Sequence, residues 1–161
     1  LGPESRPGTM AQGDLNRALD ELFRRHGQPA KAELIRSLLL LWHDHLDASH
    51  VISQGIENPD GSLVHGIMHR REPDYWNAKY WFRRVGEHVC FADLARRVEP
   101  LLTADAKLAA QLLPRGAWDA FAFVDAVESA AGKSATDARR QLLRRIQQAE
   151  TEAALDYFLK P

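Results

Sequence analysis

Residues Leu38 to Arg71 read LLLLWHDHLDASHVISQGIENPDGSLVHGIMHRR and hold five of the chain's seven histidines, set behind an apolar run. Apolar positions recur here at helical rather than alternating spacing, and Asn58, Pro59, Asp60 and Gly61 supply a turn in the middle. The stretch therefore reads as two helices joined by a tight corner. The first extends from about Ala30 to Ile56 behind Pro29. The second is capped by Ser62 and reaches Arg71, where Glu72-Pro73-Asp74 ends it, because a residue before proline is disfavoured in the helical region.

Working outward, Asp14 to Arg25 places Leu15, Ala18, Leu19, Leu22 and Phe23 on one helical face, with Gly27 as a stop. Tyr75, Trp76, Tyr80, Trp81 and Phe82 form an aromatic packing hub on a helix that begins at Pro73 or Asp74 and ends at Gly86. Phe91–Val98, Leu101–Leu113, Ala117–Ala131 and Thr136–Leu159 continue the helical pattern, with Pro100 and Pro114 as a kink and a stop. No segment alternates with the period of two that a half-buried strand requires, and there is no internal repeat. The expected fold is all-α, a single-domain irregular multi-helix bundle.

Composition narrows the functional classes. The chain has 161 residues, 45% of them apolar, which suffices for one core. With 21 Lys+Arg against 22 Asp+Glu, it lacks the global positive field that favours nucleic acid, and no nucleic-acid partner is expected. No apolar run approaches the roughly 20 residues of a membrane span. A lone cysteine, Cys90, excludes an internal disulfide and a cysteine-rich zinc site, and suits a soluble, cytoplasmic protein. Residues 1–9 resemble a leader or a cloning remnant ahead of Met10, so the domain is expected over residues 10–161.

A residue advances about 100° around a helix, so His43, Asp47 and His50 align on one stripe of a continuous Ala30–Ile56 helix. His65 and His69 stand at i,i+4, a spacing that lets two imidazoles share one ion. Folded as a hairpin, the two helices would bring His43, His50, His65 and His69 together, with Asp47 as ligand or orienting carboxylate. Such a set suits Zn, Fe(II) or Mn, and an open coordination position would activate water or oxygen. Without metal, the same residues could act as acid–base groups. Gly66 would permit close helix approach, at about 1 kcal/mol relative to alanine.

Arg70 and Arg83 are candidates to bind a small anionic substrate, and Asn77 to hydrogen-bond to the site. Pairing of the arginines with nearby acids, or stacking on Trp76 and Trp81, is the plainer reading. His45 is expected to be a satisfied core histidine, His26 and His88 to cap or sit at the surface, and Cys90 to be a structural thiol. Arg139-Arg140 and Arg144-Arg145 read as a solvated helix face.

WHDHLDASH, HGIMHRREPD and NAKYWFRRVG resemble the signature of a group of small uncharacterised bacterial and fungal helical proteins, W-H…D-x-x-H…H-x-x-x-H-R…E-P-D…N-A-x-Y-W-F-R-R-V-G. The resemblance covers about Leu38 to Phe91. It implies that Trp42, His43, His50, His65, His69, Arg70, Asp74, Asn77 and Arg83 belong to that pattern, and it carries no activity. His43-Asp44 also matches the His-Asp doublet of metal phosphohydrolases, without assignable partners. Two functional classes follow: a small helical enzyme with a histidine-rich site, or a non-catalytic ligand-binding or protein-interaction module whose His/Asp network fixes packing.

Overall fold

The computed structural model describes residues 2–3 and 6–160. Leu1, Glu4 and Ser5 of the leader, and Pro161, lie outside the described residues. Among those described, the chain forms nine α-helices, two short 3-10 turns and no strand, in one multi-helix body. The helices are α1 (Gln12–His26), α2 (Ala32–Trp42), α3 (Leu46–Gln54), α4 (Pro59–Arg71), α5 (Tyr75–Val85), α6 (Cys90–Val98), α7 (Ala106–Leu112), α8 (Ala120–Ser129) and α9 (Ala138–Phe158). None is long and apolar enough to cross a membrane.

The architecture is built around α4. Every residue from Gly61 to Arg71 is buried, and the helix packs along α5 on one side and against α2 and α3 on others. An all-round buried helix must satisfy its polar side chains internally, because water cannot reach them. Arg70 therefore places its guanidinium on Glu150 of α9, with Nη1 2.9 Å from Oε1 and Nη2 bonded to Oε2. The main core runs through α2 and α4–α9. Leu15 and Leu19 of α1 form a small separate cluster with Leu40.

The continuous helix expected over 30–56 is instead two helices, α2 and α3. The break falls at His43-Asp44-His45, where Asp44 adopts φ 68°. His45 N donates to Leu40 O at 2.9 Å, and Asp44 N to Leu41 O at 3.1 Å, so the last carbonyls of α2 are satisfied by a left-handed cap. A non-glycine residue in this region is strained, and Asp44 is held there by distant partners. Its carboxylate accepts from Arg6 N (2.8 Å), Arg6 Nε (3.1 Å) and Arg71 Nη2 (2.6 Å).

Caps account for several other boundaries. The cap of α4 is Asn58, whose Oδ1 accepts from Gly61 N at 2.9 Å, with Pro59 opening the helix; Ser62, the expected cap, lies inside it. Asp74, Asp105, Asp119 and Asp137 cap α5, α7, α8 and α9 in the same way. The helix expected over Leu101–Leu113 is reduced to α7, preceded by the 3-10 turn Glu99–Leu101.

Candidate metal centre

Three histidines converge where α3 meets α4. His65 and His69 follow from their i,i+4 spacing on one face of α4, and their rings stack with centroids 4.7 Å apart. His50 of α3 closes the group, with ring centroids 4.7 Å from His65 and 5.3 Å from His69. Each can present one nitrogen so that the three donors lie within 4.8 Å of one another, and the group could hold a metal ion.

Neighbouring elements fix these rings. Ser37 of α2 bonds the Ser49 carbonyl at 2.9 Å and its hydroxyl at 3.0 Å, anchoring α3 beside His50. A Cβ at Gly66 would stand 3.2 Å from the Phe82 ring, so glycine there lets α5 approach α4 closely. At this range Trp81 lies flat on His65, with centroids 3.9 Å apart and planes 14° apart. Glu72 Oε2 is 3.0 Å from His69 Nδ1, and Asn77 Nδ2 is 3.1 Å from His69 Nε2.

The electrostatics favour the neutral imidazole at His65 and His69. Burial, reinforced by His69 and His50, pushes the His65 pKa down to about 3. Burial also lowers that of His69, against the opposing pull of Glu72. A neutral imidazole keeps one N–H and one lone pair, and the lone pair is what a metal ion takes. His65 is only 2% exposed, yet neither of its ring nitrogens has a hydrogen-bond partner.

The remaining expected site residues are dispersed. His43 caps α2 and its Nδ1 accepts from Met10 N at 2.9 Å, away from the triad. Asp47 is exposed on the first turn of α3 and makes no hydrogen bond to the three imidazoles. The break at Asp44 takes His43 off the common stripe, whereas Asp47 stays on α3 with His50 and stands at the exposed first turn of that helix. Arg70 is fully buried against Glu150, with Phe123 beneath it at 4.3 Å, so it is not open to a substrate. Arg83 is exposed and lies over Phe121. Of the three proposed substrate-binding residues, Asn77 alone reaches the histidines.

The other histidines separate similarly. His45 is half-buried and meets the Met10 carbonyl at 2.8 Å. His26 is exposed at the end of α1. His88, expected to cap a helix or sit at the surface, is buried just before α6, with Nε2 2.8 Å from Asp60 and Nδ1 3.0 Å from Cys90 Sγ. Burial pushes the Cys90 thiol up to about 12, as suits an inert structural cysteine.

Glu72 and Trp81 are the site residues that sequence reasoning left out. Glu72 carried a signal, standing three residues after His69 at the helix end. Trp81 was hidden among five aromatics. Comparison with protein-family models, curated proteins and solved structures found no match.

Proposed function

We propose that the chain is a metal-dependent enzyme whose single ion is held by His50, His65 and His69. The observation that supports this most strongly is His65: a buried imidazole with two unpartnered nitrogens, facing two further histidines. Leaving such groups unsatisfied costs about 1–3 kcal/mol each, and a bound ion removes part of that cost. A purely structural cluster would give nothing in return.

The donor set suggests the metal. Three imidazole nitrogens without a carboxylate favour zinc or iron(II) over manganese, which prefers oxygen ligands. Glu72 on His69 Nδ1 fits the carboxylate–histidine arrangement that orients a ligand and raises its basicity. Nε2 would then be the ligating atom of His69, and Asn77 would give up its present contact there. Three protein ligands leave a position at which such an ion activates water or polarises a substrate oxygen. Asn77 is the polar group placed to orient what binds there.

The test is metal analysis of untagged protein, purified both aerobically and anaerobically and then titrated with Zn, Fe(II) and Mn. One equivalent of metal is expected, lost in His50→Ala, His65→Ala and His69→Ala, and bound about 10–100-fold more weakly in Glu72→Ala. Failure to bind any of the three metals would overturn the proposal.

A further inference from the structure

Helix α5 forms one rim of the histidine group. Asn77, Trp81 and Arg84 stand at i, i+4 and i+7, within about 60° of one another around the helix axis. The first two meet the histidines directly, Asn77 on His69 and Trp81 on His65. Arg84 continues the same stripe, and its guanidinium lies over the Trp81 ring with Cζ 5.4 Å from the centroid. One indole thus contacts both a proposed metal ligand and a cation.

Arg84 is exposed, and among the described residues it has no hydrogen-bond or ion-pair partner. Arg70 is already committed to Glu150, and Arg83, about 100° away around α5, lies over Phe121 instead. The acids of this rim sit at its other end: Glu72 is on His69, and Asp74 accepts from Asn77 N at 3.2 Å. Charge therefore runs along the rim, from carboxylates beside His69 to a guanidinium beside Trp81 and His65. Aromatic surface accompanies it. Tyr80 meets Trp81 edge-on at 5.4 Å and Trp76 stacks on Tyr80 at 6.4 Å, yet these two rings are 39% and 79% exposed. Aromatic side chains with a few placed polar groups are what a small-molecule site presents.

A guanidinium without a partner matches a carboxylate, which it can hold through two parallel N–H···O bonds. One such group balances a single charge, which suits a carboxylate better than a phosphate of nearly two. Resting on the metal-dependent reading above, and extending it to the substrate, we propose that the substrate is an aromatic carboxylate. Arg84 holds its carboxylate, Tyr80 and Trp81 flank its ring, and its reacting group reaches the ion.

The test compares benzohydroxamate with 4-carboxybenzohydroxamate by isothermal titration into the zinc-loaded full chain. Both probes offer the same metal-chelating group, and they differ in the carboxylate. The carboxylate is expected to tighten binding about tenfold or more. Arg84→Gln should remove that gain while still binding one equivalent of zinc and binding benzohydroxamate as the unaltered chain does. Arg84→Lys, which keeps the charge but not the planar fork, should retain only part of the gain. Arg83→Gln makes the same change in charge one residue away and should retain all of it. Equal affinity of the two probes, failure of both to bind, or a gain that survives Arg84→Gln would overturn the assignment. Zinc content is measured separately, so a chain that takes up no zinc fails the metal reading itself, whereas a zinc-loaded chain without the gain fails the carboxylate assignment alone.

Discussion

His65 carries a conflict between stability and binding. Its ring is buried under Trp81 with neither nitrogen satisfied, so the metal-free protein pays for a group it needs only when loaded. Replacing it with an apolar side chain of similar size removes that cost. His65→Leu is expected to stabilise the metal-free protein by about 1 kcal/mol in urea unfolding while abolishing metal binding. A loss of stability would show that the ring already has a favourable environment. The same residue sets a pH dependence. Its folded pKa is about 3 against an ordinary value of 6.5, so between these values the unfolded chain binds a proton that the folded chain refuses. Metal-free stability should therefore fall as the pH drops below about 6.5, by at most about 1.4 kcal/mol per unit from this group. His65→Leu should flatten that slope between pH 6.5 and 5. An unchanged slope would assign the effect to other groups. The i,i+4 spacing made His65 and His69 legible from sequence, whereas the unsatisfied state of His65 depends on what α3 and α5 bring beside it.

The α2–α3 corner shows why local patterning misplaced part of the site. No glycine or proline marks residues 43–45, and the apolar spacing runs through them, so the sequence reads as one helix. The turn exists because Asp44 is gripped by Arg6 and Arg71, 38 and 27 residues away, a contact no local window contains. His43 is consequently drawn to Met10, while His50 alone continues to the site. The corner can be dissected by substitution. Asp44→Ala loses the ion pairs and keeps the left-handed strain, leaving the Arg71 guanidinium buried without its carboxylate. It should cost about 3–5 kcal/mol. Asp44→Gly loses the same pairs but relieves the backbone, and should be less damaging than alanine by about 1–2 kcal/mol. If glycine is no better than alanine in denaturant titration, the conformation of Asp44 is not what shapes the corner. The boundaries that were legible, such as the stops at Gly27 and Gly86 and the Asp74 start of α5, are those whose capping chemistry is local.

Across the whole molecule, stability should follow distance from α4. Helix α1 attaches through the Leu15–Leu19–Leu40 cluster and through Arg36, which reaches Asn16 at 3.0 Å and Asp20 at 2.6 Å. With so little apolar contact it should open first, and amide exchange should be fastest there and slowest in α4. Equal protection in the two helices would contradict this ordering. The opposite end of the hierarchy is the Arg70–Glu150 pair, which ties α4 to α9 across 80 residues of sequence with side chains 0% and 2% exposed. From the sequence Arg70 could be offered only a substrate anion or an acid close in sequence, because its partner lies so far along the chain. Removing only Glu150 leaves a guanidinium in the core, so Glu150→Ala should cost about 3–5 kcal/mol, a large share of the roughly 5–15 kcal/mol that holds a domain together. Replacing both members with apolar residues removes the uncompensated charge, and Phe82 and Phe123 already supply apolar walls around Arg70. Arg70→Met/Glu150→Leu is therefore expected to recover most of the stability lost in Glu150→Ala. If the double variant is as unstable as the single one, the pair contributes a specific attraction that apolar packing cannot replace. In that case the ion pair, rather than burial alone, positions α4, and with it both the histidines on one face and Arg71 on the other.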